Sequence, residues 1–128
     1  METSLRAALI DWLRADTALT EVNIVTEEAP PAAGPPWLGI AASASADWSV
    51  KERKGREIRI ALELHFRGQA SDTAASLISA IETRIEALPR GQPGFEIASI
   101  AFLRGRAEQR ARGMRAVLME YRFRALEA

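Results

Sequence analysis

The chain has 128 residues, no cysteine, one histidine and a formal net charge of zero. This length fits one domain that buries roughly two-thirds of its unfolded surface in a single core. The missing cysteines exclude disulfides, thiolate metal sites and thiol catalysis, and a lone His65 argues against zinc sites rich in imidazole. We therefore expect one domain, residues 1–128, without a metal or cofactor.

The N-terminal residues give no sign of targeting to a membrane. Residues 1–14 carry Glu2 and Asp11 and lack the basic stretch of a signal peptide. No apolar run approaches the roughly 20 residues of a membrane span. We expect synthesis in the cytoplasm and no membrane partner.

Charge is distributed unevenly along the chain. Residues 1–50 hold seven acidic and two basic side chains, whereas residues 51–128 hold ten acidic and fifteen basic ones. The halves therefore carry net charges of −5 and +5. Fifteen of the seventeen basic residues are arginine. Arginine suits bidentate pairing at interfaces and on phosphates, but a GC-rich genome produces the same bias.

The first predicted element is an amphipathic helix. Thr3 or Ser4 can cap it, and it ends near Ala15–Asp16. Asp16 can then cap a short turn, and Val22–Val25 forms a short strand. Apolar residues of the helix recur at helical spacing: Leu5, Ala8, Leu9, Trp12 and Leu13.

The middle of the chain predicts a loop and a β-hairpin. Four prolines make Glu27–Pro36 a stiff loop. A strand rich in Ala and Ser follows over Trp37–Trp48, and Lys51–Gly55 forms a charged hairpin tip in which Gly55 can adopt positive φ. The strand Arg56–Arg67 has the clearest alternation, with one apolar face: Ile58, Ile60, Leu62, Leu64 and Phe66.

The last third predicts a helix and two strands. Ser71 begins the helix, and Pro89 and Gly91 end it. Its apolar stripe comprises Ala74, Leu77, Ile78, Ile81, Ile85 and Leu88. In the strand Phe95–Leu103, simple alternation puts Phe95, Ile97, Ser99, Ala101 and Leu103 on one face and Ala98, Ile100 and Phe102 on the other, so we expect both faces to be covered. A basic loop, 104–113, leads to the strand Met114–Leu126.

The element order is therefore α-β-β-β-α-β-β. We predict an α+β fold with a mainly antiparallel sheet of about five strands and two helices packed on one face.

Motifs of catalysis are absent from the sequence. No phosphate-binding glycine loop, G-x-S-x-G elbow or H-E-x-x-H helix is present. His65 lies on the polar face of its strand, and Glu82 and Glu86 lie one helical turn apart on a solvated face. We predict no catalytic residue, and the chain is not expected to be an enzyme.

Arginines concentrate between residues 104 and 124. This segment holds seven arginines and only two acids, Glu108 and Glu120. Such a basic patch could neutralise nucleic-acid phosphates without sequence specificity. The loop itself offers no aromatic side chain on which a base could stack. Nucleic-acid binding through residues 104–113 stays open as the alternative function, although direct DNA contact is not expected as the main one.

The layout as a whole resembles a known family. It comprises LRAALIDWLRADTAL (Leu5–Leu19), VNIV (Val22–Val25), PPWLGI (Pro35–Ile40), REIRIALELHFRG (Arg56–Gly68) and SDTAASLISAIETRIEAL (Ser71–Leu88), then two strands around a polar loop. This order resembles the tail-completion, or tail terminator, proteins of long-tailed phages and gene transfer agents.

The resemblance implies a structural protein without catalytic activity. Such a protein forms a homo-oligomer, typically a hexameric ring, on the last ring of the tail tube protein. It stops tube polymerisation, presents a surface to the head–tail connector or neck protein, and becomes part of the phage-like particle. Another small ring-forming neck or tail component would give the same sequence pattern.

The predicted contact surface lies on three loops, Glu27–Pro36, Lys51–Gly55 and Arg104–Gly113. These loops combine charge with glycine or proline and carry no core stripe. An acidic N-terminal half and a basic C-terminal half could supply the two unlike patches of a head-to-tail ring. Trp37 and Trp48 suit either a core lid or an interface anchor. The candidate residues for contacts with other subunits and the tube are Glu27, Glu28, Trp37, Trp48, Lys51, Arg53, Lys54, Arg104, Arg106, Arg110 and Arg112.

Overall fold

The computed structural model describes residues 1–24, 34–68 and 71–128. The proline-rich loop up to residue 33, with Glu27 and Glu28, and the predicted strand end at Val25 lie outside the described residues. The helices and strands are α1 (Glu2–Arg14), β1 (Asn23–Ile24), β2 (Trp37–Asp47), β3 (Gly55–Arg67), α2 (Ser71–Glu86), β4 (Gly91–Gln92), β5 (Phe95–Gln109) and β6 (Met114–Glu127).

The strands form one sheet in the order β1-β2-β3-β6-β5-β4. Only the contact between β1 and β2 is parallel, and every other pair of neighbours is antiparallel. The α+β prediction is confirmed. The sheet has six strands rather than about five, because the two-residue β4 is too short to leave a pattern in the sequence.

One face of the sheet packs against both helices and forms the core. The alternation predicted for β3 is confirmed, since Ile58, Ile60, Leu62 and Leu64 are fully buried. β6 contributes Met119, Tyr121 and Phe123 beside them, in register with β3. The helices add the predicted stripes, fully buried at Leu5, Leu9, Leu13, Ile81 and Ile85. Burial of these apolar side chains is the main stabilising contribution to the fold.

The start of α1 differs from the prediction. The helix begins at Glu2 with Met1 as its N-cap, and no side chain caps it, so neither Thr3 nor Ser4 has that role. The acidic Glu2 in the first turn complements the helix dipole instead. The cap predicted at Asp16 is confirmed, because its carboxylate accepts a hydrogen bond of 3.0 Å from the Ala18 amide.

The prediction of a basic loop over residues 104–113 is wrong for most of its length. β5 continues to Gln109, and the chain reverses within Arg110–Gly113, where Arg112 and Gly113 have positive φ of 61° and 72°. The strand continues because its backbone stays paired with β6, with Arg104 opposite Glu120 and Glu108 opposite Ala116. Charged residues alternate here on the solvent side of a strand.

The facing predicted for the first half of β5 is also wrong. Bulges between Ile97 and Ser99 and between Phe102 and Arg104 each add a residue, which shifts the alternation. The core side of β5 consequently carries Phe95, Ile97, Ile100 and Phe102, which pair with core-facing positions of β6. Ser99 and Ala101 pair with Arg124 and Arg122 and lie on the opposite side of the sheet. The expectation that both faces of β5 are covered is also wrong, since Phe102 is 45% exposed.

Gly55 is required for a reason other than the one predicted. Positive φ is found at Gly94, Gly113 and Arg112 among the described residues, and not at Gly55. A Cβ at Gly55 would collide with the Trp48 carbonyl oxygen and lie 2.8 Å from the Ala125 carbonyl oxygen. Glycine therefore permits the close approach of three backbone segments where β3 begins.

Neither described helix has the length and apolar character that crossing a membrane requires.

Candidate assembly surface

The sheet face turned away from the helices, here called the open face, carries a network of ion pairs. Glu57 of β3 lies 3.1 Å from Arg124 and 4.0 Å from Arg122, both on β6. Arg104 of β5 lies 3.4 Å from Glu120. The strand register brings these groups together, because it pairs Glu57 with Arg124 and Arg104 with Glu120. The network offsets much of the positive charge on β5 and β6 within the chain.

One end of the open face, here called the Trp37 end, consists of Trp37, Glu63, His65 and Arg110. The rings of Trp37 and His65 stack at a centroid distance of 3.7 Å, because the two residues are directly opposite on β2 and β3. Glu63 Oε1 lies 2.6 Å from His65 Nε2 and accepts a hydrogen bond of 2.9 Å from Arg110 Nη2. These side chains fix one another around a polar pocket of about 270 Å³.

The ion pairs of the Trp37 end continue onto β5. Arg110 donates two hydrogen bonds to Glu108 Oε2, at 3.1 and 2.9 Å, and Arg106 pairs with the other oxygen of the same carboxylate. The hydrogen bond from Arg110 and the charge of Arg106 lower the pKa of Glu108. The hydrogen bond to Glu108 and the charges of Glu63 and Glu108 raise the pKa of Arg110 against the effect of its burial. The arginines here are already engaged by acids of their own chain.

The opposite end of the sheet, here called the Val50 end, is the tip of the β2–β3 hairpin with Val50, Lys51, Arg53 and Lys54. Val50 and Arg53 form a backbone bridge with an N···O distance of 3.0 Å. Arg53 Nε donates to the Glu127 carbonyl oxygen at 2.8 Å, which ties the tip to the end of β6. The ammonium groups of Lys51 and Lys54 form no ion pair with the described residues.

The three tryptophans occupy three different environments. Trp12, expected in the core, is half-buried, donates a hydrogen bond of 2.7 Å to the Arg84 carbonyl oxygen and lies under the Arg84 guanidinium. Trp48 is half-buried at the base of the Val50 end, with the Arg124 guanidinium 5.6 Å from its ring centroid. Trp37 belongs to the Trp37 end. The ring of each tryptophan thus lies beside a basic or imidazole side chain.

The described candidate residues therefore lie in four places. Trp37 and Arg110 come together at the Trp37 end, and Lys51, Arg53, Lys54 and Trp48 come together at the Val50 end. Arg104 and Arg106 project from the middle of β5 with side chains 78% and 71% exposed. The Arg112 carbonyl oxygen accepts a hydrogen bond of 3.2 Å from Arg67 in the β5–β6 turn. Glu27 and Glu28 lie outside the described residues.

Sequence reasoning missed four residues of this surface: Glu63, Glu108, Val50 and Phe102. For the two acids a signal existed, because each lies two positions before His65 or Arg110 and so shares a strand face with it. Val50 and Phe102 carried no signal, since exposure of an isolated apolar residue depends on the tertiary structure. Among the residues that the structure describes, no cluster of three or more His, Asp or Glu residues could hold a metal ion.

The comparison with models of protein families identifies one family. The family model described as "Tail completion protein gp17" matches residues 7–126. A search of curated proteins found no sequence match.

Solved structures share the fold. A chain from the structure "Virion of native gene transfer agent (GTA) particle" superposes with a TM-score of 0.72 at 23% identity, covering 98% of this chain and 96% of the other. A second solved chain is more distant, with a TM-score of 0.51, 18% identity, and coverage of 98% and 92%. Both likenesses extend over nearly the whole chain.

Proposed function

The chain belongs to the tail-completion protein family, and from this premise we propose that it is a structural protein that caps the tail tube of a phage-like particle as a ring. The ring stops polymerisation of the tube and presents the surface to which the head–neck connector joins. The protein is made in the cytoplasm, acts without catalysis or a cofactor, and stays in the finished particle. The family match over residues 7–126 is the observation that carries this proposal.

The shape of the fold supports a ring in which each copy uses two unlike surfaces. A head-to-tail contact closes into a ring only when one patch complements a different patch on the next copy. Among the described residues, the Val50 end presents Lys51 and Lys54 without ion-pair partners beside the exposed Val50, whereas other parts of the surface differ in character, as the paired acids and arginines of the Trp37 end do. The six-membered ring is the stoichiometry that we propose for this assembly.

The likeness to a chain of a gene transfer agent virion supports the same role, because that chain has this fold across 98% of the present one. A domain of this fold in a finished particle is consistent with a part of the tail rather than a transient assembly factor. The tail tube protein and a neck protein are therefore the partners that we propose.

Deletion of the gene tests the proposal directly. Without the protein, tubes should exceed their normal length and fail to join heads, as measured by negative-stain electron microscopy of particles from the producing cells. A plasmid copy of the gene should restore tube length. Tails of normal length that join heads would refute tube termination.

A nucleic-acid-binding role has weaker support. Arg104, Arg106 and Arg110 all pair with acids of the same chain, and phosphates would have to compete with those carboxylates. Arg104 and Arg106 nevertheless remain largely exposed. Gel shifts across a salt series discriminate, since micromolar affinity with steep salt dependence would favour this alternative.

A further inference from the structure

Two large apolar side chains stand exposed in the described part of the chain, Val50 at 48% and Phe102 at 45%. They lie on different elements, the β2–β3 hairpin tip and the middle of β5. In the sheet order, β6 lies between the β2–β3 hairpin and β5. The charges around Val50 and around Phe102 differ in sign, and this difference indicates which kind of surface each side chain can bind.

Phe102 forms an acidic surface with Glu82 and Glu86, here called the Phe102 patch, above the fully buried Tyr121. The rings of Phe102 and Tyr121 meet edge to face with centroids 5.5 Å apart. Burial raises the pKa of Tyr121, and the negative charges of Glu82 and Glu86 raise it further. The two carboxylates, one turn apart on α2, therefore act on the same hydroxyl.

The polar groups of the Phe102 patch lack partners among the described residues. The Tyr121 hydroxyl is buried without a hydrogen bond. Glu82 and Glu86 form no ion pair there. The nearby Arg84 is engaged elsewhere, since it covers the Trp12 ring and donates a hydrogen bond of 2.8 Å to the Trp12 carbonyl oxygen. An exposed aromatic ring beside unneutralised acids suits an apolar and basic occupant.

The Val50 end has those properties. Val50 projects from a tight turn, and the adjoining segment 51–54 holds three basic residues and one acid, a net charge of +2. Arg53 is fixed to Glu127, which leaves the ammonium groups of Lys51 and Lys54 for a partner. The tip is held rigidly by backbone hydrogen bonds, including one of 2.8 Å from the Glu127 amide to the Lys54 carbonyl oxygen. Little conformational entropy is lost when such a tip docks.

We propose that the Val50 end of one copy docks on the Phe102 patch of a second copy of this chain. Val50 packs on the Phe102 ring, and Lys51 and Lys54 pair with Glu82 and Glu86. The contact joins two different surfaces, so it is head-to-tail and repeats from copy to copy. It rests on the proposed ring and specifies the contact that builds it.

The cysteine-free sequence permits a direct test by crosslinking. Particles assembled with the double variant Val50→Cys/Phe102→Cys, oxidised mildly, should give a ladder of disulfide-linked oligomers on non-reducing gels. Its largest band should correspond to the ring. Each single variant should stay monomeric, because neither surface meets a copy of itself. The pair Val50→Cys/Ala18→Cys, which keeps the tip and moves the second thiol to an exposed site elsewhere, serves as the control.

Charge exchange provides an independent readout. In the cysteine pair, Glu82→Lys/Glu86→Lys should reduce the crosslinking yield about tenfold or more, since like charges then face each other. Adding Lys51→Glu/Lys54→Glu to the same chain should restore it. Thermal unfolding of each purified variant verifies that the changes leave the fold intact.

The outcomes separate this contact from the proposed function. No ladder from correctly folded variants in assembled particles would overturn the contact while leaving tube termination standing. Dimers from a single cysteine variant would overturn it in favour of a symmetric contact. Normal tails after gene deletion would refute termination, and the ladder would still report how copies associate.

Discussion

The two ends of the sheet differ in whether their charged side chains are paired within the chain. At the Trp37 end, Glu63 and Glu108 bind Arg110 and Arg106, so most charged groups have partners within the chain. At the Val50 end, Lys51 and Lys54 are exposed and have no such partner in the described residues. The comparison teaches that a dense run of arginines can be largely neutralised by its own fold, whereas two isolated lysines remain available to another molecule.

The difference follows from where the charges lie on the elements. The arginines at positions 104, 106 and 110 alternate along one side of the chain, which places Arg104 beside Glu120 of the neighbouring β6 and the other two beside Glu108 of β5 itself. The lysines occupy the hairpin tip, where their ammonium groups form no ion pair with the described residues. Exposed ion pairs of the first kind add little stability each, but together they fix the open face in one arrangement.

The largest effect that we expect comes from Gly55, which allows the Val50 end to fold against β6. Gly55→Ala should reduce the free energy of unfolding by about 1–3 kcal/mol, because the new methyl group would meet backbone oxygens that cannot move aside. Urea denaturation measures the change.

Gly91→Ala is the matched control for that substitution. A Cβ at Gly91 meets nothing within 4 Å, so this variant should unfold with a free energy within about 0.5 kcal/mol of the parent. Equal stability of both glycine variants would show that the Val50 end does not depend on the close approach at Gly55.

The next effect concerns Glu63, whose side chain is 16% exposed and serves both His65 and Arg110. Glu63→Gln removes the charge that holds them and should destabilise the fold by about 1–2 kcal/mol at pH 7. Lys51→Ala/Lys54→Ala, which removes two charges at the other end, should change stability by less than about 0.5 kcal/mol. If the two variants unfolded at the same urea concentration, the contrast between the ends would be wrong.

Most of the fold could be predicted from the sequence, but less of the candidate surface could. Strict alternation in β3 and helical spacing in α1 and α2 report directly on burial, so the α+β architecture and its core could be predicted. The bulges in β5 could not, because one inserted residue changes the face of all that follow and has no signature in composition. The length of β5 was hidden for a related reason, since a charged strand on an open face has the composition of a loop.

The candidate surface was predicted only as a set of charged segments. Lys51, Lys54, Arg104 and Arg106 are exposed as expected. Which of them have partners depends on register across strands far apart in sequence, such as Glu63 with Arg110, 47 residues later. Pairings of this kind require the tertiary structure.

A smaller effect distinguishes arginines that are neutralised from those that are free. Arg104→Gln/Arg106→Gln should leave the free energy of unfolding within about 0.5 kcal/mol, because both arginine side chains are largely exposed. Any binding of DNA by the parent protein should weaken in this variant, whereas Lys51→Gln/Lys54→Gln should matter less if phosphates contact β5. Gel shifts in low salt measure both, and equal loss in the two variants would place phosphate contacts at both ends.

The smallest effect compares Glu108, which adjoins the Trp37 end, with Asp47, the last residue of β2 next to the Val50 end. The pKa of Glu108 lies below its ordinary 4.5 because of Arg110 and Arg106, and that of Asp47 lies below 3.8 mainly because the Ser49 hydroxyl and amide donate to it. Each group therefore contributes stability above its ordinary pKa that is lost as pH falls through the lowered value. Asp47 is exposed and Glu108 is partly exposed, so 1 M salt reaches both and screens the arginine charges at Glu108 more than the neutral donors at Asp47. Titration by NMR should show the pKa of Glu108 rising with salt and that of Asp47 moving less, because the hydrogen bonds from Ser49 lower the pKa of Asp47 more than the charge of Arg56, 3.6 Å away, does. Equal shifts would mean that long-range charge governs both ends alike.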